Sequence, residues 1–180
     1  MHNRRFGGEI ERLRSPERLA RIDVERVVAL SLDGAAARTM LDVGTGSGLF
    51  AQAFAARGLR VAGVDLRADM LEAARGFVPA GAFRLAHMEA LPFAGGAFSL
   101  VFLGHVLHEA DDLARALAEA YRVAALRAVV LEWPYAVQEF GPPLEHRLPT
   151  AQVEDAARLT GFARVTHHAL AFMSLFVLDK

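Results

Sequence analysis

The apolar positions of this chain follow two periods. Short, nearly continuous apolar runs at 40–43, 60–64, 82–86, 98–103 and 128–132 read as strands buried on both faces, which have no polar side to show. Between them apolar residues recur at helical spacing, as in Val24, Val27, Val28 and Leu32, or Leu113, Leu117 and Tyr121. Helices are predicted at 15–21 behind a Ser15 cap and Pro16, and from 23 to 32. Others are predicted at 47–57, 68–75, 111–124 and 150–161, the last ended by Gly161. The segments 163–167 and 171–178 are β-rich and too close together for a helical crossover, which predicts an antiparallel hairpin.

Strands alternating with helices imply parallel pairing with both faces of the sheet covered. The expected fold class is α/β: a single Rossmann-like, doubly wound sheet of about seven mostly parallel strands, closed by the C-terminal hairpin. One domain is expected over 1–180, with a helical lead-in at 1–38, a ligand-binding core at 39–133 and the C-terminal helix and hairpin at 134–180.

Composition mainly removes alternatives. The chain has 180 residues, no cysteine and a formal net charge of −1. Thiol catalysis, disulfides and cysteine-ligated metals are excluded. The single lysine is Lys180, so a phosphate-gripping or Schiff-base lysine inside the chain is excluded too. Arg12, Arg14, Arg18 and Arg21 are interleaved with Glu9, Glu11, Glu17 and Asp23, which reads as a solvated helix face rather than a nucleic-acid patch. No apolar run is long enough to span a membrane, and residues 1–8 lack the apolar core of a signal peptide. The expectation is a cytoplasmic protein with neither a nucleic-acid nor a membrane partner.

Open α/β sheets bind ligands outside the carboxyl ends of their strands. Here those ends carry Asp42 with Gly44-Thr45-Gly46-Ser47-Gly48, then Asp65-Leu66, His87-Met88-Glu89, Gly104-His105 through Glu109, and Glu132-Trp133-Pro134-Tyr135. A glycine turn opening a helix brings backbone N–H groups up to a ligand. An acid about 20 residues further on, Asp65, is suited to a ribose diol. Leu49 occupies the place of the third glycine in the dinucleotide pattern, which disfavours a nicotinamide dehydrogenase.

The stretch 41–48, Leu-Asp-Val-Gly-Thr-Gly-Ser-Gly, resembles motif I of the class I S-adenosylmethionine-dependent methyltransferases. Val61-Ala62-Gly63-Val64-Asp65 resembles their second-strand motif, and Met70-Leu71 is similar to the residues just beyond that motif. Glu89-Ala90-Leu91-Pro92-Phe93 and Phe98-Ser99-Leu100-Val101 are similar to the corresponding segment of the small UbiE-like (methyltransferase type 11) members. Pro16-Glu17-Arg18-Leu19 and Gly141-Pro142-Pro143 also resemble bacterial members, so the likeness covers nearly the whole chain.

The resemblance implies S-adenosylmethionine as cofactor and a small-molecule methyl acceptor. It places Asp42, Gly44, Thr45, Gly46 and Gly48 at the methionine part and ribose, and Asp65 at the ribose hydroxyls. Leu66 and Met70 would bracket the adenine, His87, Met88 and Glu89 would lie near its edge, and Gly104 and His105 beside the sulfonium. His87 stands where many relatives have an acid, Ser99 replaces an aspartate, and Val123 to Arg127 replace a Gly-Gly turn.

His105 and His108 are the candidates for a catalytic base; no carboxylate set completes a metal site around them. Glu109-Ala110-Asp111-Asp112 reads as a helix N-terminus. Trp133, Tyr135, His146 and Arg147 are the substrate-site candidates, while His167 and His168 read as structural. The loops expected to select the acceptor are short, which predicts a pocket partly open or completed by a second copy in a homodimer. A degenerate cofactor-binding partner protein is the non-enzymatic alternative.

Overall fold

A computed structural model describes residues 10–180. The expectation for the first eight residues, and the place of Glu9 among the arginines, lie outside the described residues.

A 3-10 turn, Ile10–Arg14, leads into α1 (Pro16–Ile22) and α2 (Val24–Leu32). Ser15 caps α1 by accepting from the Arg18 amide, and Asp23 caps α2 by accepting from the Arg26 amide. There follow β1 (Thr39–Val43), α3 (Leu49–Ala56), β2 (Arg60–Asp65), α4 (Ala68–Phe77), β3 (Ala82–Leu85), β4 (Phe98–Gly104), α5 (Leu113–Val123) and β5 (Ala124–Glu132). The chain ends with α6 (Thr150–Thr160), β6 (Arg164–Ala169) and β7 (Ser174–Asp179).

The seven strands form one sheet in the order β3-β2-β1-β4-β5-β7-β6. The first five pair in parallel; β7 lies antiparallel to both β5 and β6. The predicted hairpin is present, with β7 inserted between β5 and β6.

Strand alternation divides the core between the two faces. Leu41, Val43, Ala128, Val130 and Phe176 pack with Leu117 of α5 and Val153 of α6. On the other face Met40, Phe102, Val129, Leu131 and Leu175 pack with Val27 and Val28 of α2, Phe50 and Phe54 of α3 and Leu71 of α4.

The largest boundary difference from the sequence reading lies at the start of β5. The expected turn at 123–127 is absent: α5 passes straight into β5, which begins at Ala124, four residues before the predicted start. Arg127 stands inside that strand. Its guanidinium is in fact buried, pairing with Asp179 of β7 at 2.7 Å and donating to the carbonyls of Ser31 and Asp33.

Candidate active site

The carboxyl ends of β1, β2, β4 and β5 open into one cavity of about 790 Å³. The lead-in roofs it: Leu13, Arg18 and Ile22 all line the space. Arg14 ties this roof to the glycine turn, donating to the Ser47 carbonyl (2.9 Å), to Ser47 Oγ (3.1 Å) and to Gln52 Oε1 (2.8 Å), with its guanidinium 3.4 Å above the Phe77 ring.

The turn after β1 needs its glycines for backbone reasons. Gly44 has φ +68°, and a Cβ there would come within 2.6 Å of Val106. Gly48 has φ +76°, and its Cβ would sit 3.0 Å from Ala74 of α4. Gly48 therefore serves the packing of α3 on α4 and lies outside the cavity lining, whereas Gly44, Thr45 and Gly46 face into it.

Two carboxylates hold the turn. Asp65 accepts from the Gly46 amide through Oδ2 and from the Arg67 amide through Oδ1, each at 2.9 Å. Asp42 is buried beneath, and its Oδ2 accepts from Thr45 Oγ1 (2.8 Å) and the Ala51 amide (3.1 Å). Burial pushes the Asp42 carboxyl up to about 7, against the pull of those two hydrogen bonds.

Leu66, Met70, Met88 and Gly104 also line the cavity. His87 and Glu89 do not. His87 Nδ1 faces the Glu89 amide at 3.3 Å, and Glu89 Oε1 accepts from the amides of Asp111 and Asp112 at 2.8 and 2.9 Å. That carboxylate is spent on shaping the chain before α5, whose N-cap is Asp112.

The β4 end brings the two histidines in on different terms. His105 adopts φ +56°, a backbone state a non-glycine residue rarely takes. Its ring lies 4.7 Å from Trp133, with Nε2 3.1 Å from Met173 Sδ and Nδ1 3.5 Å from Arg18 Nη2. Burial, then the positive Arg18, drives its pKa well below the ordinary imidazole value. His108 is buried against Glu132 of β5, Nδ1 lying 3.0 and 2.9 Å from Oε1 and Oε2. Glu132 also accepts from the His108 and Trp133 amides. Burial works to lower the His108 pKa, but the Glu132 charge and hydrogen bond outweigh it and the net shift is upward.

Of the substrate-site candidates, Trp133 lines the cavity; Tyr135, His146 and Arg147 lie outside it. Arg147 is buried and donates to the carbonyls of Pro134, Ala136, Phe140 and Pro142 and to Gln138 Oε1, which fixes the loop after β5. Arg14 and Arg18, which the interleaved acids make look like a solvated face, and the pairing of Glu132 with His108 are not legible from sequence pattern. The available signal for that pair was that both residues stand at the ends of consecutive strands.

A methyltransferase-domain family model matches residues 41–130, half of the chain. The chain belongs to this family, the class I S-adenosylmethionine-dependent methyltransferases. It is 37% identical over 92 residues to the malonyl-[acyl-carrier protein] O-methyltransferase of Erwinia billingiae, covering 51% of this chain and 37% of that one. It is 38% identical over 117 residues to the demethylmenaquinone methyltransferase of Thermus thermophilus, covering 61% and 53%. The matched parts thus span about a third to a half of these relatives. An S-adenosylmethionine-dependent methyltransferase from Aquifex aeolicus superposes with a TM-score of 0.79 at 21% identity, covering 94% of this chain and 96% of that one, which shows the shared fold.

The lining fits the cofactor. Each Asp65 oxygen accepts one backbone N–H and has a second lone pair open to a hydroxyl donor. Leu66 is half-exposed and lines the cavity, as does the buried Met70, giving an apolar wall for a purine. No helix among the described residues is long and apolar enough to cross a membrane.

Proposed function

We propose that this chain transfers the methyl group of S-adenosylmethionine to an acceptor bound over the ends of β4 and β5. The observation that carries this reading is the continuity of the cavity from Asp65 to Trp133, with a volume suited to a cofactor and a small acceptor together. The cofactor, when bound, supplies an electrophilic methyl on a sulfonium. Asp65 would hold the ribose, Gly44 to Gly46 the methionine part, and Leu66, Met70 and Met88 the adenine. Holding both reactants in line in a space roofed by the lead-in accounts for most of the rate such a site must supply.

His108 is the base we assign for an acceptor that arrives protonated. Nδ1–H donating to Glu132 leaves the lone pair on Nε2, and the raised pKa strengthens it as a base. His105 is a poorer base: Arg18 donates toward its Nδ1, and its pKa is depressed. With an acceptor held over the ends of β4 and β5, His108 Nε2 would take the proton that the acceptor's nucleophilic atom gives up on methylation.

The relatives favour two acceptor types, a carboxylate carried on an acyl-carrier protein or a quinone-like small molecule. Release of S-adenosylhomocysteine with either one, or with small carboxylic acids, tests the reading. No release with any acceptor, although cofactor binds, would favour the degenerate cofactor-binding protein. Two of the sequence departures, His87 and Ser99, do not bear on the cavity. His87 lies outside it, and Ser99 bonds Thr39 and the Arg38 amide at the start of β4.

A further inference from the structure

Among the described residues Arg18 is a cation without an anion, since no carboxylate pairs with it. Its Nε is buried with no hydrogen-bond partner, and Nη2 reaches only His105 Nδ1 at 3.5 Å. The guanidinium lies 6.0 Å from the Trp133 ring centre and lines the cavity. Burial, and Arg12 nearby, lower its pKa. Leaving a buried charged donor unsatisfied is costly, so such a group in a ligand cavity calls for a partner that the protein itself does not provide.

We infer that Arg18 recognises the methyl acceptor, and that the acceptor carries a carboxylate attached to an apolar or aromatic body. This rests on the proposed methyl-transfer reading of the cavity. The guanidinium offers a planar fork that matches a carboxylate with two N–H donors. The neighbouring walls are Trp133, Phe140 and Met173, which suit an apolar body. Strand order separates this corner from the cofactor's ribose site. Asp65 ends β2, whereas Arg18 lies against His105 and Trp133, which follow β4 and β5, with β1 between β2 and β4. At about 4.8 Å per strand, that places the cation near the acceptor side. The cofactor's own carboxylate is the rival partner for the same chemistry, and the test separates the two.

Trp133 is the chain's single tryptophan, which makes the corner its own reporter. The protein saturated with S-adenosylhomocysteine is titrated with benzoate, and separately with benzamide, with Trp133 fluorescence excited at a wavelength neither ligand absorbs. Calorimetry gives S-adenosylhomocysteine affinity for the same proteins. The expected result is saturable benzoate binding at least tenfold tighter than benzamide. Arg18→Gln should weaken benzoate about tenfold or more while leaving S-adenosylhomocysteine affinity within about twofold, and Arg18→Lys should restore part of the loss. Equal binding of benzamide, no saturable benzoate response, or unchanged benzoate affinity in Arg18→Gln overturns the proposal. Loss of S-adenosylhomocysteine affinity in Arg18→Gln also overturns it, by giving the cation to the cofactor. Failure of the unaltered protein to bind S-adenosylhomocysteine sinks the methyl-transfer reading itself, which is a different result.

Discussion

His108 Nδ1 lies 2.9 Å from Glu132 Oε2, joining the ends of β4 and β5 through a buried imidazole–carboxylate pair. The pair fixes which ring nitrogen carries the proton. With Nδ1 donating to the carboxylate, the free lone pair belongs to Nε2, and the ring is held more basic than a free imidazole.

Turnover should therefore depend on pH through His108. The base works only when neutral, so the rate rises with pH through an apparent pKa above the unperturbed 6.5. His108→Ala should cost about 100-fold or more in kcat at the plateau with cofactor affinity preserved. Glu132→Gln removes the charge that raises the pKa, so its profile should shift toward acid. A profile identical to that of the unaltered protein in both variants would take His108 out of the chemistry.

Asp42 makes a prediction about stability. Its native pKa of about 7 stands above the ordinary 3.8, so between those values the folded protein keeps a proton that the unfolded chain has released. Stability from this group is fully present below about pH 4 and declines as pH rises to 7, by roughly 4 kcal/mol at most. Asp42→Asn can accept the same two hydrogen bonds without ionising. The difference in urea-unfolding free energy between the two proteins should shift in favour of Asp42→Asn as pH rises across that window; a constant difference would contradict it.

Arg147 is expected to matter for the loop rather than for the reaction. Replacing it by Met leaves four backbone carbonyls without their buried donor. A loss of roughly 2–4 kcal/mol in stability should result. Faster amide exchange across 134–147 would locate the effect, with S-adenosylhomocysteine affinity little changed.

The features legible in the sequence are those that local physics controls. Strands buried on both faces and amphipathic helices leave periodic signals, so the order of elements could be read directly. The glycine turn and Asp65 were legible for the same reason, since positive φ and a fixed spacing are local demands. Glu132 meets His108 only because β5 pairs with β4. Arg127 finds Asp179 only because β7 slots in beside β5. Arg18 looks solvated in sequence because Glu17 and Asp23 stand close by; only the placing of the lead-in over the strand ends turns it into the cavity. His87 failed in the opposite direction, standing in a motif while its ring is turned to the Glu89 amide.

The central claim is that the cavity holds S-adenosylmethionine through Asp65. Parallel calorimetric titrations with S-adenosylmethionine and NAD, on the unaltered protein and Asp65→Ala, test it most directly. The expected result is saturable S-adenosylmethionine binding, none with NAD, and at least a tenfold loss of affinity in Asp65→Ala with the fold intact by circular dichroism. Tight NAD binding without S-adenosylmethionine binding, or undiminished affinity in Asp65→Ala, would contradict it.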